Sequence, residues 1–170
     1  MNRVFKHTIV VGLFLFYSNC QYAQSLPNFD LIKLEKAPDY KPASPFALQT
    51  ANYLLSTPIE KDNPDRLKSL QFLGKWMAGT PNFSFTIDET ARKLMRNNND
   101  LLGVYMASMV KYSLENKDSL KDSKVVKLNA VKMLIDYCEN KNNNLGMTKS
   151  LKKLAEAKAK GQLEEAVAAL

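Results

Sequence analysis

Residues 101–110 read Leu-Leu-Gly-Val-Tyr-Met-Ala-Ser-Met-Val, a run without a single charge. Asp100 stands before it as a helix cap, and Leu101, Leu102, Tyr105, Met106, Met109 and Val110 cover most of a helical circumference. The pattern predicts a helix over 101–114 that is surrounded by other elements. Such a helix needs a jacket, and the rest of the sequence supplies helical signals for one.

Ser44-Pro45 opens a segment with Phe46, Leu48, Ala51, Leu54 and Leu55 apolar. Proline at the first helical position costs nothing, because its missing N–H would be unbonded there. Asn63-Pro64-Asp65 repeats that start, with Asn63 as cap and Asp65 favoured by the helix dipole. In the helix that follows, Leu67, Leu70, Leu73 and Met77 form one stripe and Phe72 and Trp76 a second, until Gly79-Thr80-Pro81 stops it. Thr86 and Glu89 have capping-box spacing for a short helix. After a polar link at 115–122, a helix over 123–140 carries Val125, Leu128, Val131, Leu134, Ile135 and Cys138 on one stripe. Thr148 caps a Lys-rich helix that Gly161 breaks, and 162–170 makes a last turn or two.

No stretch alternates apolar and polar residues between turn signals; residues 82–86 come nearest. The expectation is an all-α domain of about five or six helices, an irregular orthogonal bundle or a short array of helical hairpins. It spans 45–170 and follows an irregular arm over 25–44, where Pro27, Pro38 and Pro42 interrupt the pattern. The core is expected from Leu67, Leu70, Leu73, Trp76, Leu101, Leu102, Tyr105, Met109, Val131, Leu134, Ile135 and Leu154.

The N-terminus reads as an export signal over 1–24. Arg3 and Lys6 precede an uncharged run over 8–17, too short for the roughly 20 helical residues that span a bilayer. Ala23 is a small residue suited to cleavage, which places the cut after Ala23 or Gln24. The expected location is therefore periplasmic or extracellular. Cys20 would be the acylated residue of a lipoprotein signal, but Tyr17, Ser18 and Asn19 match that box loosely, and the reading taken is that Cys20 is discarded.

Export changes the chemistry at hand. With Arg3 and Lys6 gone from the 24 cations, 22 remain against 17 acids, a net charge of +5. His7 and Cys20 leave with the leader, so the mature chain keeps no histidine and one cysteine, Cys138. That excludes an intramolecular disulfide and any Ser-His, Cys-His or His-metal chemistry. No catalytic set, cofactor or metal site is expected. Cys138 follows the apolar periodicity of its helix, as a buried thiol would. Asp62, Asp65, Asp88 and Glu89 are explained by loops and first helical turns.

Two segments stand out. Trp76, Thr80, Pro81, Phe83 and Phe85 gather the lone Trp and two Phe around a turn, either as a partner surface or, in the plainer reading, as a plug closing one end of the core. Lys149, Lys152, Lys153, Lys158 and Lys160 form a basic stretch, either an anionic-ligand surface or a solvated outer face. Residues 157–167 resemble the inter-helix turn of a tetratricopeptide repeat, but no second copy lies upstream, and no family follows.

The expected function is that of a non-catalytic accessory or interaction module of the bacterial cell envelope, its partner another envelope protein. One alternative is a binder of lipid headgroups or acidic polysaccharide through the Lys-rich helix, and a second is a small carboxylate-based hydrolase. Nucleic acid is not expected as a partner, because the cations are mostly Lys and do not cluster as Arg. Membrane contact is expected only through an acylated Cys20 or the Lys-rich helix.

Overall fold

The computed structural model describes residues 26–96, 98–116 and 122–170. The expected leader with Cys20, and most of the expected link at 115–122, lie outside the described residues. Seven α-helices and two 3-10 turns make up the regular structure, with no strand among the described residues. The helices are α1 (Ala37–Ser56), α2 (Pro64–Gly79), α3 (Glu89–Met95), α4 (Asn99–Glu115), α5 (Ser123–Glu139), α6 (Lys149–Ala159) and α7 (Leu163–Ala168), and the 3-10 turns are Phe29–Leu31 and Lys141–Asn143. The protein is an all-α helical bundle, and the terminal stretch expected as a turn or two is itself the short helix α7.

The uncharged helix α4 is the axis, as its composition requires. It packs most extensively on α5 and α1, and also meets α2 and α3, while α6 and α7 pair with each other against α5. Leu101, Val104, Tyr105, Ala107, Met109 and Val110 are all buried. Gly103 permits the close approach of α2: a Cβ there would lie 2.7 Å from Leu70 Cδ2.

Three local expectations need correction. Residues 37–44, expected within the irregular arm, are helical: α1 begins at Ala37 and runs through Pro42 and Pro45. Each interior proline removes a helical hydrogen bond, but Tyr40, Ala43, Ala47, Thr50, Ala51 and Leu54 form one continuous buried stripe, while Pro42 and Pro45 stay on the exposed side. Burial along the whole stripe outweighs the two lost bonds. The start is secured by Asp39, whose carboxylate accepts from the backbone N–H groups of Glu35 at 3.0 Å and Lys36 at 2.9 Å.

The second correction concerns caps. Asp88, not Thr86, caps α3, accepting from the Ala91 N–H at 2.7 Å while its other oxygen takes Lys127 Nζ at 3.3 Å. Asp88 gains a cap and an ion pair together, which Thr86 could not. Asn98, not Asp100, caps α4 through the Leu101 N–H at 3.0 Å. Asn63 and Thr148 cap α2 and α6 as expected, and Asp122, at the end of the expected polar link, caps α5.

The third is the inward face of two helices. Leu67, expected in the core, is 59% exposed. The buried face of α2 is Arg66, Ser69, Phe72, Leu73, Trp76 and Met77, turned to bury the two large aromatics and to give Arg66 its acceptors. Leu70 and Leu102 are half-buried against the core. On α5, Val126 and Tyr137 are buried while Val125, Leu128 and Cys138 are half-buried.

Arg66 explains the rotation of α2. Its guanidinium is buried and donates to the carbonyls of Leu54 at 3.2 Å and Thr57 at 3.0 Å and to the Thr57 hydroxyl at 2.8 Å. These are groups at the C-terminal end of α1, where a cation meets the negative end of the helix dipole. Tyr137 Oη donates to the same Thr57 carbonyl at 2.6 Å, and the Asn143 side chain donates to the Tyr137 carbonyl at 2.9 Å. One polar knot thereby ties α1, α2 and α5 together.

Candidate functional site

The N-terminal arm lies along the proline-bearing side of α1 and encloses an open groove of about 560 Å³ with it. The arm contributes Leu26, Pro27, Leu31 and Ile32; α1 contributes Pro38, Pro42, Phe46 and Gln49. Leu31 is 78% exposed and Phe46 40% exposed, and they belong to a group of just four large exposed hydrophobics among the described residues. Two of the four therefore line one groove, with Leu67 and Leu170 elsewhere.

The groove is held from beneath. Trp76, 0% exposed, donates its Nε1–H to the Tyr40 carbonyl at 3.1 Å, and Tyr40 Oη in turn donates to the Leu34 carbonyl at 3.3 Å. Leu34 is buried and anchors the end of the arm. At the other end Phe29 meets Phe72 of α2, ring centroids 4.8 Å apart. The arm is thus pinned at both ends while Leu31 between them projects outward. Asp39 on the groove wall has its carboxyl held below the usual range by the backbone N–H groups of Lys36 and Glu35, and Lys33 supplies a cation.

Prolines shape the α1 wall chemically as well as sterically. Pro42 and Pro45 have no N–H, so neither can donate to the carbonyl four residues earlier, those of Pro38 and Lys41.

The aromatic segment is drawn together as one cluster. Trp76 lies 5.6 Å from Phe83 and 5.9 Å from Phe85, which are 6.1 Å from each other, centroid to centroid. Trp76 and Thr80 are buried, Phe83 and Phe85 half-buried and Pro81 exposed. Thr80 Oγ1 is buried without a hydrogen-bond partner. What this cluster leaves exposed is Pro81 and part of Phe83 and Phe85, and its inner member supports the groove through Tyr40.

The basic stretch divides. Lys149, Lys152, Lys153 and Lys160 are exposed. Lys158 is bound to Asp136 Oδ1 and, at 2.7 Å, to Glu139 Oε2. Burial works against its charge, but those two carboxylates outweigh the burial and hold its pKa above the usual lysine value. It ties α6 to α5.

The carboxylates considered for acid–base chemistry have structural work. Asp88 caps α3, Asp65 lies in the first turn of α2 and Glu89 pairs with Arg92 at 3.4 Å. A recess of about 280 Å³ between α5 and α7 holds Asp122 and Glu164, but Asp122 is the α5 cap, accepting from the Lys124 N–H at 2.8 Å. No group of three or more His, Cys, Asp or Glu among the described residues is placed to hold a metal ion. Burial pushes the Cys138 thiol up to about 11, and the nearby Glu139 adds to the shift, so it is protonated at neutral pH.

Leu31 and Phe46 were not legible as a site in the sequence. The arm's prolines pointed to a surface strand of chain, but the groove exists only because α1 starts at Ala37 and brings Pro38, Pro42 and Phe46 onto one side. The Tyr40-to-Leu54 stripe was the signal for that. Comparison with family models, curated proteins and solved structures finds no match for this chain.

Proposed function

We propose that this chain is an exported, non-catalytic helical module of the bacterial cell envelope that binds another envelope protein in the groove between the arm and α1. The observation that carries the reading is the pairing of exposed Leu31 and Phe46 across one pinned groove. Apolar side chains held on a rigid, proline-rich frame lose little conformational entropy on binding, so the buried area goes further toward affinity. The occupant that fits is an extended apolar segment with an acidic residue beside it: apolar side chains cover Leu31 and Phe46, and the carboxylate meets Lys33.

Export rests on the leader pattern of residues 1–24. Mass measurement of the protein recovered from the cell envelope tests it. A mass starting at Gln24 or Ser25 supports export with cleavage, and recovery of the intact leader on cytosolic material contradicts it. The groove reading is tested by binding: Leu31→Asp and Phe46→Asp, both at exposed positions, abolish partner binding while leaving the unfolding free energy within about 1 kcal/mol of the parent.

A further inference from the structure

The Thr148 hydroxyl donates to the Leu94 carbonyl at 2.7 Å and accepts from the Leu151 N–H at 3.1 Å. One side chain therefore closes the last turn of α3 and opens the first turn of α6, fixing the two helix ends against each other. Their apolar faces are spent inward, with Ala91, Leu94, Met95, Leu151 and Leu154 buried. Their outer faces are basic: Arg92, Lys93 and Arg96 on and just past α3, and Lys149, Lys152 and Lys153 on α6, all exposed. An open recess of about 630 Å³ is lined by Arg92, Lys93, Arg96 and Glu89.

Helix electrostatics accounts for half of this arrangement and opposes the other half. Cations in the last turn of α3 are favoured by the negative end of its dipole. The first turn of α6 holds no acid and starts with Lys149, at the positive end where an acid belongs. Placing it beside the α3 cations adds like-charge repulsion. A local rule broken with no compensating partner is a mark of function rather than of stability.

We propose that the α3–α6 junction binds an acidic polysaccharide. The six cations come from two helices whose ends Thr148 fastens together, with Arg92 sharing the recess with Glu89 at 3.4 Å, and a cationic surface drawn from two elements suits an extended polyanion. A bilayer is the poorer fit, because neither helix has a large exposed hydrophobic to insert; those among the described residues are Leu31, Phe46, Leu67 and Leu170. This site is separate from the protein groove. Preferring a polysaccharide to nucleic acid rests on the proposed export, whereas the binding measurement on purified protein does not.

The test is affinity for heparin as the polysaccharide probe, with anionic phospholipid vesicles and duplex DNA as comparison arms. At about 0.1 M salt, the triple substitution Arg92→Gln, Lys93→Gln, Arg96→Gln weakens heparin binding about tenfold or more, as does Lys149→Gln with Lys152→Gln and Lys153→Gln. Lys61→Gln, Lys68→Gln, Lys75→Gln makes the same change in net charge at exposed positions elsewhere and leaves the affinity within about twofold. Lys149→Glu raises the melting temperature by about 2 °C while weakening heparin binding, because relief of the helix dipole and loss of the ligand act in opposite directions. Equal weakening by the Lys61, Lys68, Lys75 triple, no heparin binding, a melting temperature lowered by Lys149→Glu, or tighter junction-dependent binding to vesicles or DNA would each overturn the proposal.

Discussion

The indole of Trp76, wholly buried on α2, donates its N–H to the carbonyl of Tyr40 on α1 at 3.1 Å. That bond fastens the proline-bearing start of α1 to the core, and the Tyr40 hydroxyl passes the constraint on to Leu34 at the end of the arm. The aromatic cluster and the groove are therefore one mechanical unit, with the Trp76 ring inside and the proline-bearing groove wall outside.

Trp76→Phe should lower stability by about 2 kcal/mol through a lost buried hydrogen bond and a small void. Ser44 Oγ still donates to the Tyr40 carbonyl at 3.3 Å, which keeps that acceptor from being orphaned. Gly79→Ala should cost more, about 3 kcal/mol, because its Cβ would overlap the Tyr40 ring. Urea unfolding gives both values, and partner binding should weaken for Gly79→Ala even under conditions where the protein stays folded.

The knot at Thr57 should behave as a coupled unit. Arg66→Met leaves the Leu54 carbonyl without its buried donor, and Tyr137→Phe removes the second donor to the Thr57 carbonyl. Each should cost about 2 kcal/mol, and the double mutant about 1 kcal/mol less than the sum, since the first loss already loosens the shared loop. Simple additivity in a double-mutant cycle would show that the two donors act independently.

Alkaline pH should destabilise the fold with a defined sign. Burial, with a contribution from Asp88, pushes Tyr105 up to about 12 from an ordinary 10.0, and burial with Glu139 pushes Cys138 up to about 11 from 9.0. Both folded values lie above the unfolded ones, so the protonated forms are favoured by folding. Their contribution is fully present below about pH 9 and is lost as pH rises toward 12. The unfolding free energy should be flat from these groups between pH 7 and 9 and then fall, by on the order of 2 kcal/mol from Tyr105. Tyr105→Phe should flatten the upper part of that profile, and iodoacetamide should label Cys138 slowly at pH 7 until urea unfolds the chain.

Much of the scaffold was readable because its signals are local. The uncharged run of α4 and the caps Asn63 and Thr148 each carry their instructions within a few residues. What escaped depends on distant partners. Asp88 wins the cap from Thr86 by adding an ion pair with Lys127 on α5. Arg66 points inward, and Leu67 outward, because the acceptors for Arg66 lie at the end of α1. Prolines at 42 and 45 look like helix breakers until the stripe from Tyr40 to Leu54 is seen to pack on α4 and α2. The groove inherits that difficulty, since it is built from a helix start that local rules argue against. The α3–α6 junction was half readable: the lysines of α6 were evident, but nothing in the spacing joined them to Arg92, Lys93 and Arg96.

The most direct measurement is photocrosslinking in living cells from a benzophenone amino acid placed at Leu31 and, separately, at Phe46, with Leu67, whose exposure lies between theirs, as the apolar control. The proposed groove function predicts one and the same envelope protein at both groove positions, none at Leu67, and loss of the Leu31 product when Phe46→Asp is introduced. Different partners at the two positions, or the same capture from Leu67, would contradict it.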